Sequence, residues 1–115
     1  MSFPDAAPKT AMHFDAGKPR LELVDPRWIE AVGHVLAFGG KKYDDHNWTR
    51  GMHWSKLIGS ALRHIFAFAR GEDNDPESGH SHLAHASCCL MMLHGITWRH
   101  PHLDDRLPQG DSDGQ

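Results

Sequence analysis

Residues 55–70 read Ser-Lys-Leu-Ile-Gly-Ser-Ala-Leu-Arg-His-Ile-Phe-Ala-Phe-Ala-Arg, and residues 80–98 read His-Ser-His-Leu-Ala-His-Ala-Ser-Cys-Cys-Leu-Met-Met-Leu-His-Gly-Ile-Thr-Trp. In the first stretch the apolar residues recur at helical spacings: Leu57, Ile58, Ala61, Leu62, Ile65, Phe66, Phe68 and Ala69. They cover most of a helix circumference, which predicts a central helix with Ser55 as its N-cap and Gly71 after its end. The second stretch predicts the longest helix, ended by Pro101, with His82, His85, Ala86, Cys89, Leu93 and Ile96 on its buried stripe.

Upstream, Asp25-Pro26 is a helix start, Asp as N-cap and Pro as first residue. Trp28, Ile29, Val32, Val35 and Leu36 give the apolar face of a helix over 26–38, stopped by Gly39-Gly40. No stretch alternates like a strand, so the fold class is all-α: a compact domain of three main helices at 26–38, 55–70 and 80–98. Residues 39–54 form a connection of about 16 residues, long enough to suggest a functional loop. Residues 1–13 read as a flexible arm, 14–99 as the domain and 100–115 as a flexible, acidic tail. Three helices leave sides of an apolar helix uncovered, which predicts a homo-oligomer.

Length and composition bound the rest. With 115 residues the chain makes one domain, and no apolar run is long enough for a membrane span. A net charge of −3 argues against nucleic acid polymers and lipid surfaces as partners. The N-terminus has no apolar core of a signal peptide. The two cysteines are adjacent, Cys88-Cys89, and helix neighbours point apart; reduced, packed thiols in a cytoplasmic protein are expected.

The 11 histidines exceed an ordinary share. His82 and His85, at i and i+3, can aim at one point, and His64 on the preceding helix can meet them. Either they bind metal and move protons, or they are hydrogen-bonded core residues. His13, His80, His94, His100 and His102 are expected in solvent. Between the helices lie Glu72, Asp73, Asp75 and Glu77. They can favour the following helix through its dipole, or hold Mg²⁺ beside substrate phosphates. Lys18 and Arg20 in a Gly/Pro loop, Lys41-Lys42 at a helix end, and Arg63 could converge on phosphates. For Lys41-Lys42 the simpler reading is a complement to the helix dipole. Asn47 and Trp48 could hold a base, while Trp54 is expected to anchor the long loop to the core.

Five motifs then share one order: Asp15-x-Gly-Lys-Pro-Arg-Leu, Phe38-Gly-x-Lys-Lys-Tyr-x-x-x-Asn-Trp48, Leu62-Arg63-His64, Gly71-Glu72-Asp73-x-Asp75-x-Glu77-Ser78-Gly79 and His82-Leu-Ala-His85-Ala86. Together they resemble the phage and bacterial family described as dATP/dGTP diphosphohydrolase, N-terminal domain, related to the MazG-like all-α NTP pyrophosphatases. The resemblance runs from about Asp15 to Leu93. It implies Mg²⁺-assisted hydrolysis of a purine deoxynucleoside triphosphate to monophosphate and pyrophosphate by an oligomer. MazG-like enzymes hold magnesium on a Glu-Glu-x-x-Glu helix and a Glu-x-x-Asp helix. Here those places carry Arg63 and His64, and His82-x-x-His85. The carboxylates would then come from Glu30 or from Glu72, Asp75 and Glu77, or a different divalent metal would be held by histidine.

On this reading His64, His82 and His85 are the catalytic group. Lys18, Arg20, Lys41, Lys42, Asn47, Trp48 and Arg63 bind substrate, and Glu72, Asp75 and Glu77 bind metal. A non-catalytic nucleotide-binding module is the alternative, and a phage structural protein with a zinc-binding histidine cluster is a weaker third.

Overall fold

Asp25 opens the first helix as its sequence suggests: its carboxylate accepts the Arg27 N–H at 2.9 Å, with Pro26 in the first turn. In a computed structural model describing residues 10–108, helix α1 spans Pro26–Lys42, α2 Trp54–Ala69 and α3 His82–Arg99. Short 3₁₀ turns at Leu21–Leu23, Asn47–Arg50 and Pro101–Leu103 complete the order. Among the described residues the one extended pairing is an isolated bridge between Asn74 and Ser81. The all-α class therefore stands. Residues 1–9 and 109–115 lie outside the described part, and with them most of the expected arm and the end of the expected tail.

α1 does not stop at Gly39-Gly40. It continues to Lys42, because lysines are good helix formers and complement the negative end of the helix dipole. Gly40 serves a different need: a Cβ there would lie 2.5 Å from Asp45 Oδ1, so the glycine lets the following loop fold back onto the helix. The connection between α1 and α2 shortens accordingly to residues 43–53 and contains the 3₁₀ turn.

The expected central helix is the wrong one. α3, rather than α2, packs against both of the others. Its buried residues Ala84, Ala86, Cys88, Cys89 and Gly95 are small, so neighbours can approach closely on more than one side. Cys88 joins Val35 and Ala84 in the α1–α3 core, while Cys89 joins Trp54, Leu57, Ala61 and Ile96 in the α2–α3 core. Adjacent cysteines thus face different helices. Both thiols are free, and burial pushes that of Cys88 up to about 11 and raises that of Cys89. The buried stripe expected on α3 is present: His82, Ala86, Cys89 and Ile96 are buried, and His85 and Leu93 half-buried. On α2, by contrast, Leu62, Ile65, Phe66 and Phe68 are exposed, as are Trp28, Ile29 and Leu36 on α1.

Residues 100–106 are not a loose tail. Trp54 Nε1 donates to the His100 carbonyl at 3.3 Å, and Leu103 packs against the α2–α3 core. Asp105 Oδ1 accepts the Ser55 N–H at 2.9 Å, and its second oxygen takes the Ser55 hydroxyl. Ser55 is therefore not the N-cap: α2 starts one residue earlier, His53 precedes it without a side-chain cap, and a carboxylate from the C-terminal segment satisfies the first turn instead. His100 is half-buried rather than solvated, its Nε2 paired with the Thr49 carbonyl at 2.8 Å. His80 is also half-buried, stacked on His34 with centroids 5.7 Å apart. His13, His94 and His102 are exposed, as expected.

Candidate functional site

The 70–81 turn is built on Asp75. Asp-Pro is a natural turn opening, and the Asp75 carboxylate accepts the Ser78 N–H at 3.0 Å. The Asp75 N–H bonds the His80 carbonyl and the His82 N–H bonds the Asp73 carbonyl, which ties the turn across the start of α3. Ser81, N-cap of α3, accepts the Leu83 N–H at 3.0 Å. This clamp sets the first turn of α3, and so His82 and His85, against His64 of α2.

The three histidines do cluster. His64 Nδ1 lies 2.8 Å from His82 Nδ1, and the His64 and His85 rings are stacked, 4.5 Å apart and inclined by 9°. His82 is buried, with its other nitrogen, Nε2, 2.6 Å from Glu72 Oε1. His85 Nε2 is 2.6 Å from Ser78 Oγ and 3.6 Å from Asp75 Oδ2. Ser78 Oγ also accepts the His80 N–H, which leaves the hydroxyl hydrogen free for the His85 ring. One nitrogen from each of His64 and His82 and one Asp75 carboxylate oxygen lie within 4.8 Å of each other, a group able to hold a metal ion.

The electrostatics follow from burial. Burial lowers the His64 and His85 pKa values, and for His64 the neighbouring imidazoles His85 and His82 lower it further. Asp75 partly opposes this for both rings. For Asp75 itself burial favours the neutral acid, but Ser78 hydrogen bonds and the two facing histidines outweigh it, leaving the carboxyl below its ordinary range. The site thus pairs neutral imidazoles with an ionised carboxylate at neutral pH.

Beside this cluster opens a cavity of about 700 Å³ between the C-terminal half of α1, the 43–48 loop and α3. His64, Asp75, His85, Lys42, Asn47 and Glu77 all line it. Trp48 reaches it as well, but its ring packs where a Gly95 side chain would be and lies under the Arg99 guanidinium at 5.0 Å. Its main work is anchoring the loop to α3, and Trp54 is buried in the core as expected.

The other expected binders do not face the cavity. Lys41 and Arg63 are exposed and outside its lining, as are Lys18 and Arg20, the latter paired with Glu22. Glu30 is likewise exposed on α1 and outside it.

Nor do Glu72, Asp75 and Glu77 converge as a carboxylate site. Glu72 holds His82, Asp75 faces the histidines, and Glu77 pairs with Lys42 at 3.0 Å. Mg²⁺ favours oxygen donors and its own waters, so two imidazoles and one carboxylate are a poor match for it. Ser78 stands in the fourth motif but is given no role by the sequence reading. Its signal was the Asp-Pro-x-Ser turn, which returns a hydroxyl next to the aspartate.

Residues 8–106 match the family described as dATP/dGTP diphosphohydrolase, N-terminal. Over 97 residues the chain is 39% identical to a protein named dATP/dGTP diphosphohydrolase from Salmonella phage PMBT28, an alignment covering 84% of this chain and 33% of that protein. The chain therefore spans about a third of the length of this curated relative. No solved structure matches. Among the described residues no helix is long and apolar enough to cross a membrane.

Proposed function

The chain belongs to the dATP/dGTP diphosphohydrolase N-terminal family, and from that premise we propose that it hydrolyses a purine deoxynucleoside triphosphate to monophosphate and pyrophosphate. One observation carries the reading: His64, His85, Asp75, Lys42 and Asn47, drawn from all three helices and from both connections between them, line the same open cavity. A nucleotide lying there would meet a cation, an amide and neutral imidazoles together.

A water oxygen bonds to the α-phosphorus, the bond from that phosphorus to the bridging oxygen breaks, and pyrophosphate leaves. One water proton goes to His85 Nε2 as the Ser78 hydroxyl, which holds that lone pair at 2.6 Å in the resting molecule, turns aside, and the other stays with the monophosphate. Burial keeps this ring neutral and therefore able to accept. Lys42, released from Glu77 to the phosphates, offsets charge that develops on the leaving group. Asn47 offers its amide to a base edge. Magnesium belongs to this reading as the counter-ion of the triphosphate, where phosphate oxygens supply the donors it prefers.

A second reading is favoured by the partial coverage: the named activity of the phage relative belongs to a protein about three times longer than the matched part. On that reading this domain binds the nucleotide without cleaving it. Incubating the purified chain with dATP, dGTP and Mg²⁺ separates the two. Monophosphate and pyrophosphate in equal amounts are expected; saturable dGTP binding with no product would establish the binding module instead.

The same proposal includes a homo-oligomer, in which a second copy covers Leu62, Ile65, Phe66 and Phe68 of α2. Light scattering at high micromolar concentration should give at least twice the 12.9 kDa chain mass; a monomer would remove this part.

A further inference from the structure

We infer that His64, Asp75 and His82 form a binding site for a divalent metal of the zinc, cobalt or manganese kind in preference to magnesium, with Glu72 as the carboxylate that prepares His82 for it. The inference rests on donor geometry, and holds whether or not the chain cleaves a nucleotide.

The decisive group is Glu72. An ionised carboxylate only accepts hydrogen bonds, so the nitrogen facing it, His82 Nε2 at 2.6 Å, must carry the proton. A neutral His82 then has a bare Nδ1, and that atom is the one directed at His64. Carboxylate, imidazole and open nitrogen in a row are the arrangement that orients metal-binding histidines and raises their basicity. His82 is buried, so this orientation is fixed rather than sampled. His64 is held from its other side by the parallel His85 ring, and Asp75 by the Ser78 N–H.

The donor spacing also fits. With the His82 proton on Nε2, the hydrogen bond between the two Nδ1 atoms, 2.8 Å apart, has His64 as its donor. Two nitrogens on a tetrahedral ion at about 2.0–2.1 Å would stand about 3.3 Å apart. The rings must therefore part by roughly half an ångström, and His64 must move its proton to Nε2. Asp75 supplies the third donor, one of its oxygens lying within 4.8 Å of one nitrogen of each ring. Two imidazoles and one carboxylate suit first-row transition ions, whereas magnesium asks for oxygen. The neighbouring cavity leaves room for water or a ligand oxygen at the remaining position.

The test is a Co²⁺ titration of the full chain, stripped with chelator and followed by visible absorption, with calorimetry for Zn²⁺, Mn²⁺ and Mg²⁺. Other histidines can bind cobalt weakly, so the comparison with variants reads the site. Wild type should take up one more tight equivalent than His64→Ala or Asp75→Asn. The second variant keeps an acceptor for the Ser78 N–H, so it stays informative if His64→Ala folds poorly. Glu72→Gln should weaken the same equivalent about 10–100-fold with helicity unchanged, and Glu77→Gln, whose carboxylate is paired with Lys42, should not. Magnesium at the cobalt concentration should displace nothing. Equal cobalt binding by wild type and both ligand variants, or displacement by equimolar magnesium, would overturn the assignment.

Discussion

Replacing His85 by Ala should lower dGTP turnover by about 10²–10⁴-fold, the usual range for removing a positioned proton acceptor, while the helical circular dichroism stays close to wild type. The ring is half-buried on the cavity wall and does not belong to either apolar core. Its partners, the Ser78 hydroxyl and the Asp75 carboxylate, both lie in the turn and can turn to water when it is gone. The matching change at His82 should behave differently. His82 is buried between Glu72 and His64, so His82→Ala leaves His64 without its partner and opens a void beside α2. It should cost both turnover and melting temperature. The pair of variants therefore separates chemistry from packing. If His85→Ala melts lower yet the folded fraction turns over dGTP at the wild-type rate, His85 is a core histidine and its role as proton acceptor is gone.

What could be read in the sequence was what neighbouring residues decide among themselves. Asp25-Pro26 acts locally, through the first N–H groups of its own helix, and that cap is where the sequence puts it. The histidine cluster was readable for the same reason: an i, i+3 pair following a short turn from a helix that carries His64 has few places to go.

Roles that depend on a distant partner were not readable. Asp105 meets Ser55 across 50 residues of chain, so a composition that reads as a loose tail hides a contact at the start of α2. Four carboxylates in one turn suggest a magnesium site by count, but the count does not say that Glu72 would turn to His82 and Glu77 to Lys42. The choice of central helix failed likewise. Apolar residues around α2 show what it can bury, whereas the small residues of α3 determine which helix two neighbours can reach at once.

Truncating Ile96 should have the largest effect on stability. Ile96 is fully buried at the centre of the α2–α3 contact, in one cluster with Trp54, Leu57, Ala61 and Cys89. Leu103 of the docked C-terminal segment packs on the same cluster. Ile96→Ala should therefore cost about 2–5 kcal/mol, the transfer of the lost methyl groups plus the void they leave. Against a total of about 5–15 kcal/mol for an ordinary domain, that is a large share, and the melting temperature should fall by on the order of 10 °C. Ile65→Ala supplies the comparison. Ile65 is 40% exposed on the outer face of α2, so in an isolated chain its truncation should cost well under half as much. Urea midpoints of the two variants at low and high protein concentration give a clear reading. A large Ile96 effect and a small Ile65 effect, both independent of concentration, describe the three-helix core as it stands alone. An Ile65 effect that grows with protein concentration describes an α2 face buried by a second copy. A small effect at Ile96 would mean that α2 and α3 do not close on one another around this residue.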